Sequence, residues 1–451
     1  MIGRAAKRAQ VDDSGAEEVE KHDGGFVTPM QMFATFPHNI TFEETRELKL
    51  LATPASSPDS NMYTFIHNRQ EYGVMRLEDA TISADLRVVT NAGGVPANTR
   101  RVAPMTRPLA FGWKTKEIYV NNDLVNTTTT HESEICYINA FLTQTPESRN
   151  DKRDLCMGWY DTAGQFDSTV GFQDGNNVVN AGGRKRSNPI NGGERFKCYD
   201  TLDLLGHNKR FCTTSFDVKV ELTRLEKSKF FNGVDAHVTA LKMQYHDLTL
   251  TIPMMKPVAQ LSAAINELMI QSSEECKFYT TTYRYVGKPL AVGAQNIQVN
   301  DIFNGGRPTR FICFQKTQAR YNGHNELNFH SMPFPGINHF QVKINEANIP
   351  PLITNSKEAY LNLTRVLDKR HSQLPVTFSE YESDYGIIVV DLTTNRDSYN
   401  KVLPNSTAGV VSVDIKYAAA LQAAQQLVFI GEFRNQLSIG YKTAARNKFE
   451  F

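Results

Sequence analysis

Polar and apolar residues alternate along most of the chain, and this alternation predicts one strand after another. In residues 216–222 (FDVKVEL) every second residue is apolar and the residues between are charged, which is the pattern of a strand with one face buried. Segments of this kind run through residues 35–250 and again through 276–451, mostly separated by Gly, Asn or Pro. We therefore expect two β-rich halves of the sandwich or jelly-roll type.

Two segments have a helical pattern instead. Residues 256–275 (KPVAQLSAAINELMIQSSEE) place apolar side chains at the 3.6-residue spacing after Pro257, and we predict a helix there that joins the two halves and docks against both. Residues 132–144 (ESEICYINAFLTQ) predict a second, short helix. The apolar stripe of the connecting helix comprises Val258, Leu261, Ile265, Leu268 and Met269.

Residues 165–195 contain six glycines and five asparagines around a GGRKRS segment. Such a stretch has little apolar area to bury, so we predict a long exposed loop whose removal leaves the fold intact. The predicted division of the chain has four parts. These are a flexible N-terminal arm at 1–28, a first jelly roll at 29–255 with the loop insertion at about 165–195, a connecting helix at 256–275, and a second jelly roll at 276–451.

Charge and composition narrow the class of protein. The chain of 451 residues has 49 basic and 48 acidic residues, a formal net charge of +1. This balance gives the surface no strong reason to coat nucleic acid and little protection against self-association. Within the arm, Arg4, Lys7 and Arg8 are followed by acidic residues. The arm is predicted either to contact nucleic acid or a neighbouring subunit, or to be a solvated tail.

The cysteines and the N-terminus bear on the compartment. Six cysteines are scattered without a CxxC pair, and we expect buried free thiols rather than a zinc site or a disulfide framework. The first residues lack the apolar stretch of a secretory signal, and no run approaches the length of a membrane span. We therefore predict an intracellular, reducing environment. The neighbours Cys156, Trp159 and Tyr160 indicate packing rather than a reactive thiol.

Candidate chemistry is sparse. The sequence has no GxxxxGKS or GxxxxGKT, no GxGxxG that opens a helix, no HExxH and no GxSxG. His324, His330 and His339 lie close together in sequence but match no common ligand spacing. We expect them to be surface or loop histidines. We predict no catalytic, cofactor-binding or metal-binding residues.

One acidic cluster has two interpretations. Glu380, Glu382 and Asp384 (in SEYESDYG) could supply paired carboxylates for glycosidase-type catalysis. Glu380 and Glu382 would share a strand face, however, so a charged strand edge that resists wrong pairing explains them as well.

Several short motifs occur in the same order as in a known family. They comprise Asp161-Thr162-Ala163-Gly164, Leu222-Thr223-Arg224, the apolar helix after a strand, the turn from Phe303 to Pro308, Tyr321-Asn322-Gly323, Pro333-Phe334, the hairpin from Ile344 to Pro350, and Asp391-Leu392-Thr393. In this series, over about residues 105–440, the chain resembles the major capsid (hexon-like) proteins of Polinton/Maverick elements and adintoviruses. Asn345-Glu346-Ala347 departs from the family's usual Asp-Gly hairpin tip.

The resemblance implies a fold and a function. The fold would be all-β, a double jelly roll of two eight-stranded antiparallel sandwiches that stand upright in a capsid shell. Three copies would form a homotrimer of six jelly rolls, a pseudo-hexagonal capsomer that tiles an icosahedral shell around double-stranded DNA. Its partners would be neighbouring capsomers and a minor capsid or penton protein. The chain would be a structural component of the virion, without cofactor or catalysis, made and assembled inside the host cell.

Two alternatives come from other classes of protein. An enzyme on a two-sandwich scaffold that acts on glycans would need a carboxylate pair converging in a cleft. A glycan-binding module would need exposed aromatic side chains in one concave patch. A stable trimer would favour the capsid protein, and a monomer would favour either alternative. Cleavage near Gly24-Gly25 is a further hypothesis for the arm, beside the solvated tail.

Overall fold

The strands of the computed structural model fall into two successive groups, one on each side of a short helix. The structure describes residues 41–54, 57–69, 73–97, 100–126, 129–151, 153–204, 212–213, 215–268, 275–368, 374–399, 408–440 and 446–448. The predicted arm at 1–28 and the Gly24-Gly25 pair lie outside these residues.

The first group contains twelve strands in the described residues. They are β1 (Phe42–Leu51), β2 (Met62–His67), β3 (Val74–Met75), β4 (Thr81–Thr90), β5 (Val102–Pro104), β6 (Trp113–Val120), β7 (Asp123–Leu124), β8 (Phe196–Thr201), β9 (Cys212–Thr213), β10 (Val218–Arg224), β11 (Phe231–Gly233) and β12 (Leu241–Pro257). The second group comprises β13 (Cys276–Leu290), β14 (Asn296–Val299), β15 (Arg310–Thr317), β16 (Ile337–Ile344), β17 (Ala347–Ile353), β18 (Ile388–Asp391), β19 (Val411–Tyr417), β20 (Gln425–Ile439) and β21 (Arg446–Lys448).

Short helices lie between the strands. They are α1 (Pro108–Phe111), α2 (Glu132–Thr143), α3 (Pro146–Asp151), α4 (Arg153–Cys156), α5 (Ala181–Gly192), α6 (Lys227–Phe230), α7 (Asp235–Thr239), α8 (Ala259–Asn266), α9 (Gln318–Asn322), α10 (Ser356–Val366) and α11 (Phe378–Asp384), with a 3-10 turn at Leu77–Asp79. The predicted helix at 132–144 is therefore confirmed as α2.

Both groups have the same strand order. In the second group β13-β20-β15-β18 form one sheet and β14-β19-β16-β17 the other, so that in chain order the strands lie 1-8-3-6 and 2-7-4-5. In the first group β1-β12-β4-β8 and β2-β10-β6-β7 repeat this order. Strands β3 and β9 extend the first group's first sheet, and β21 extends its counterpart in the second group. The pairing is antiparallel throughout these sheets. Each group is a jelly roll.

Alternating side chains fill the space between the two sheets of each roll. In the first roll Tyr63 and Trp113 of one sheet meet Tyr245 of the other, with ring centroids 5.9 and 5.5 Å from its ring. In the second roll Phe311 and Phe340 meet across the sheets at 6.4 Å. Strand β10 keeps its predicted alternation, with its apolar residues buried and the charged ones half-exposed. Burial of these large apolar side chains is the main stabilising contribution.

The hairpin between β16 and β17 forms a tight turn although its tip is not Asp-Gly. Asn345 and Glu346 have φ angles of 48° and 68°, and Ile344 pairs directly with Ala347. Two consecutive left-handed residues in a two-residue loop form a turn whose twist suits a hairpin. Asn tolerates this conformation well, so the tight turn and its register are kept without glycine.

The structure corrects two predictions of local structure. Strand β12 continues through Pro257, so the connecting helix begins at Ala259 rather than at 256, and α8 covers Ala259–Asn266. Residues 269–274 of the predicted helix lie outside the described residues. Leu268, which was predicted to dock, is 55% exposed, and Met269 lies outside the described residues. The segment 165–195 is not a free loop, because α5 occupies Ala181–Gly192 and buries Arg186 and Ile190. The two rolls belong to one compact unit, Thr41–Phe451.

Candidate functional site: the contact between the two rolls

Helix α2 of the first roll lies at the contact between the two rolls. It follows β7 in the connection to β8, and its first turn carries Glu132 and Glu134, which favours a helix start because carboxylates stabilise the positive end of the helix dipole. Tyr137, Phe141 and most other residues of α2 are buried. Since a helix buried nearly all round needs partners on both sides, the second roll supplies the outer one.

A buried ion pair joins the rolls at this helix. Glu134 pairs with Lys316 of β15, and neither side chain has exposed surface. Lys316 also donates to the backbone carbonyl of Phe329. The hydroxyl of Tyr285 donates to Glu134 Oε2 over 2.8 Å, and His131 Nδ1 lies 3.2 Å from the same oxygen. The ionised groups are thus surrounded by hydrogen-bond partners, as buried charges require.

The ion pair determines the pKa values of Glu134 and Lys316. Burial by itself would raise the pKa of Glu134, but the ammonium of Lys316 and the hydrogen bond from His131 outweigh it, and the pKa falls to about 2. Burial lowers the pKa of Lys316 to about 8, and the nearby carboxylate of Glu134 limits that fall. At neutral pH both remain charged, so the carboxylate is held by a cation and is not available as an acid or base.

Aromatic rings stack across the same contact. His131 stacks on Tyr285, and Tyr137 stacks on His330 with centroids 4.2 Å apart. His330 Nε2 lies 3.2 Å from the Ser133 hydroxyl. Burial lowers the pKa of His330 to about 3, with the positive charge of Lys316 acting in the same direction. This histidine is therefore neutral at physiological pH.

The Asp161-Thr162-Ala163-Gly164 segment forms a second part of the contact. Asp161 accepts from Asn328 Nδ2 over 2.9 Å and from Arg186 of α5 over 2.7 Å. The Gly164 amide donates to Asp384 over 2.6 Å. Close by, Arg320 forms a 2.6 Å ion pair with Asp167. The Asp161–Gly164 motif of the first roll is thus hydrogen-bonded to the second roll.

The three candidate histidines have different environments. His324 is exposed in a loop, as predicted, and His339 lies on β16. His330 is in a loop but is buried, so the prediction of a surface or loop residue holds only for its loop position. In the described part of the chain no three His, Cys, Asp or Glu side chains converge as metal ligands would.

The acidic cluster lies on helix α11, so the prediction of a strand edge is wrong. Glu380 closes a capping box with Thr377, its carboxylate accepting from the Thr377 amide over 2.7 Å. Glu382 accepts from the Ser356 hydroxyl. Asp384 is buried and also accepts from Ser331 over 2.6 Å, and burial raises its pKa. The Thr-x-x-Glu spacing was the available signal for a helix start here.

The cysteines are free, as predicted, and four of the six are buried. Cys156 is one of these, and Tyr160 nearby has the guanidinium of Arg149 3.9 Å from its ring centroid. Burial raises the pKa of Cys198, which lies near Cys156 in the core, and it also raises the pKa of the half-buried Cys136. Thiols of this kind are inert rather than nucleophilic.

A cavity of about 380 Å³ adjoins α2 where the first roll meets β13. Its lining includes the Lys116–Glu132 ion pair, closed at 2.8 Å, together with Cys136, Tyr160 and Tyr283. Because the carboxylate of Glu132 is already held by a cation, it does not form the separated acid and base that glycosidases use.

No helix in the described residues is both long and apolar enough to cross a bilayer.

Sequence reasoning missed the residues that make this contact. The available signal was a charged residue at the edge of an apolar run, such as Glu134 before Ile135 and Lys316 shortly after Phe314. Buried charges of this kind need a partner, but the partner lies 182 residues away in sequence.

Comparison with solved structures identifies proteins that share this architecture. No family model matches the sequence, and no curated protein matches it either. Solved structures do match. A chain of the Sputnik virophage has a TM-score of 0.64 at 12% identity, covering 95% of this chain and 94% of the other. The mavirus major capsid protein gives 0.56 at 10% identity, with 98% and 97% covered. The Faustovirus major capsid protein gives 0.51 at 8%, with 91% and 94% covered.

The chain has the fold of double jelly-roll major capsid proteins. At these identities the similarity establishes the fold. The predicted fold class is therefore confirmed, and the matches span nearly the whole of both chains.

Proposed function

We propose that this chain is a structural major capsid protein. Three copies assemble into a pseudo-hexagonal capsomer of six jelly rolls, and capsomers tile an icosahedral shell around double-stranded DNA. The observation that carries the proposal is the repeated 1-8-3-6 and 2-7-4-5 strand order in one compact unit. The similarity to two proteins described as major capsid proteins supports it.

The contact between the rolls suits a shell component. Lys316 and Glu134 are fully buried between rolls, and stacked rings surround them. Closely packed interiors resist deformation, so each chain presents its two rolls in one fixed relation. Identical copies with fixed surfaces are what a closed symmetric assembly requires. A near-zero net charge, +1 over the chain, lowers the electrostatic cost of close packing between copies.

The finer parts of the proposal extend the same function. The motif series supports kinship with the capsid proteins of Polinton/Maverick elements and adintoviruses. The partners are neighbouring capsomers and a minor capsid or penton protein at the shell's vertices. The N-terminal arm makes weak contact with packaged DNA. The protein acts in the virion after synthesis and assembly inside the host cell, and it performs no catalysis. We also propose the division into two rolls with a connector between them as its domain organisation.

The oligomeric state tests the proposal. Size-exclusion chromatography with light scattering on the full-length chain should give a mass three times 50.7 kDa, with an obligate interface that buries on the order of 2,000–5,000 Å². Electron microscopy of the concentrated protein should then show pseudo-hexagonal particles. A monomer at every concentration, together with hydrolysis or retention of a glycan, would support the enzyme or lectin instead.

A further inference from the structure

The shared strand order gives each surface of one roll a counterpart on the other. In the 1-8-3-6 sheet, β1, β12, β4 and β8 of the first roll correspond to β13, β20, β15 and β18 of the second. The connection between the fifth and sixth strands carries α2 in the first roll and α10 in the second. These correspondences allow the covered surfaces of one roll to be compared with the open surfaces of the other.

The outer face of this sheet is covered in the second roll. Tyr285, Ile430 and Ile312 lie opposite one another on β13, β20 and β15. They point away from the sandwich interior, because the neighbouring Phe311 points inward to Phe340. Ile430 and Ile312 are nevertheless fully buried.

The first roll provides that cover. Helix α2 lies on this outer face, where Glu134 accepts from both Tyr285 and Lys316. The contact inside the chain therefore joins two different surfaces. One is the fifth-to-sixth connection of the first roll, and the other is the outer face of the 1-8-3-6 sheet of the second.

The counterpart of the covered face is open in the first roll. Leu51, Thr249, Ser83 and Tyr199 form one row across β1, β12, β4 and β8. They point outward, because Ile82 next to Ser83 is fully buried in the sandwich. Leu51 is 65% exposed and Tyr199 is 40% exposed. Two large, exposed apolar side chains, Leu51 and Tyr199, thus lie at the ends of a row whose centre consists of the small residues Thr249 and Ser83.

The counterpart of α2 is also open, in the second roll. Helix α10 buries Leu363 on its inner side, and Asn362 donates to the Val389 carbonyl of β18 over 2.6 Å. Its outer side leaves Leu361 50% exposed, and Leu352 of the preceding strand is 46% exposed. Leu361 on the helix and Leu352 on β17 are thus exposed apolar residues on elements that are anchored to the roll on their inner side.

We propose that the outer side of α10 in one copy seats on the outer face of the β1-β12-β4-β8 sheet in the next copy. This contact repeats, between chains, the kind of contact that α2 makes within the chain. A heterologous contact that closes generates a ring, and three copies with two rolls each complete a ring of six. The inference rests on the proposed capsid function and names the surfaces that hold its trimer together.

Two single substitutions test the two sides of this contact. Leu361→Asp and Tyr199→Asp each place a charge on one surface, and each should convert the trimer to a monomer in light scattering. Both positions are exposed, so the circular dichroism spectrum and the unfolding midpoint should stay close to those of the unsubstituted protein. The matched control is Ile66→Asp on β2. Ile66 is 52% exposed but belongs to the 2-7-4-5 sheet, and this variant should stay trimeric.

Mixing the two variants tests the heterologous geometry. Each damaged copy retains one intact surface, so Leu361→Asp and Tyr199→Asp together can form one intact contact. An equimolar mixture should therefore contain a dimer of twice the monomer mass, whereas each variant alone should not. A contact between identical surfaces would produce no such complementation.

The outcomes separate this inference from the proposed function. If the unsubstituted protein is a monomer, the capsid proposal fails and this inference fails with it. If the protein is a trimer and both Asp variants remain trimeric, the assigned surfaces are wrong while the capsid proposal stands. Loss of the trimer in the Ile66 variant alone, or monomeric variants that give no dimer on mixing, also overturns the assignment.

Discussion

Glu134 of the first jelly roll and Lys316 of the second form an ion pair with no exposed surface on either side chain. The two residues are 182 positions apart in the sequence. A carboxylate and an ammonium buried away from each other would each be costly, so the pair is stable only in the one arrangement that brings α2 onto β15. The pair therefore helps to define how the rolls are placed relative to each other.

Removing the charge of Glu134 should destabilise the protein strongly. In Glu134→Gln the ammonium of Lys316 stays buried without an anionic partner, and we expect the free energy of unfolding to fall by about 3–5 kcal/mol. Urea unfolding followed by circular dichroism measures this change. The matched control is Glu326→Gln, since Glu326 is exposed and its substitution should alter stability by less than about 0.5 kcal/mol.

A double substitution separates the lost charge from the lost shape. Glu134→Gln combined with Lys316→Met removes both charges, and it should recover a large part of the stability that the single change loses. An unfolding midpoint for Glu134→Gln equal to that of the unsubstituted protein would contradict the role assigned to the pair.

His330 should make stability depend on pH from about 6.5 downwards to about 3. Burial holds its pKa near 3, below the ordinary value of 6.5, so the unfolded chain binds a proton that the folded chain does not. Stability is therefore full well above pH 6.5 and declines as pH falls, by about 2 kcal/mol down to pH 5. His330→Gln should flatten this slope in urea unfolding at several pH values, and an unchanged slope would refute the assignment.

The carboxylate of Glu134 should act in a more acid window, which overlaps that of His330 between pH 4.5 and 3. Its pKa is lowered from 4.5 to about 2, so the stability that its ionised form contributes is present above pH 4.5 and is lost as pH falls towards 2. The Glu134→Gln/Lys316→Met variant should lose less stability than the unsubstituted protein between pH 4.5 and 3. A parallel pH dependence of the two proteins would count against this.

Arg186 should be irreplaceable by lysine. Its guanidinium donates to the Pro104 carbonyl over 2.8 Å, to the Trp159 carbonyl, and to Asp161 over 2.7 Å. A lysine ammonium cannot reproduce this planar fork, and each buried carbonyl left without a donor costs about 1–3 kcal/mol. We expect Arg186→Lys to lower the free energy of unfolding by about 2–4 kcal/mol. The exposed neighbour Lys185 is the control, since Lys185→Arg should be neutral.

Gly182 should not tolerate a side chain. A Cβ there would lie 1.8 Å from the Tyr160 carbonyl oxygen, so the backbone of α5 or of residue 160 would have to move. We expect Gly182→Ala to destabilise by about 3 kcal/mol. Gly192→Ala, in the same helix, meets only the flexible Glu194 side chain at 3.1 Å, and it should change stability by less than about 1 kcal/mol. Equal midpoints for the two variants in thermal unfolding would disprove this.

The sequence was informative wherever structure depends on local pattern. The period-two alternation of β10 and the helical pattern of α2 are both present in the structure. The strands were recognisable because a half-buried strand needs no information beyond its own residues. The order 1-8-3-6 could not be read in this way, since it depends on which strands pair across long separations.

The wrong prediction of a free loop at 165–195 has a physical cause. The segment around α5 is rich in Gly and Asn, yet it folds because Arg186 and Asn180 find buried partners on residues 159–162. Asn180 also caps the helix by accepting from the Gly183 amide. Composition predicted exposure because it counts apolar area, whereas this helix is stabilised by buried polar contacts. The deletion of 170–192 that a free loop would tolerate should therefore unfold this region.

The long sequence separation between α2 and its cover has a consequence for synthesis of the protein. When the first roll has emerged from the ribosome, β15 and the segment around Phe329 have not yet been synthesised. The outer side of α2 is then exposed to solvent, and Glu134 lacks its ion-pair partner Lys316. A protein truncated at α8 would keep the outer side of α2 exposed and Glu134 unpaired permanently. The first half expressed by itself should be prone to aggregation, and co-expression of the two halves should rescue it.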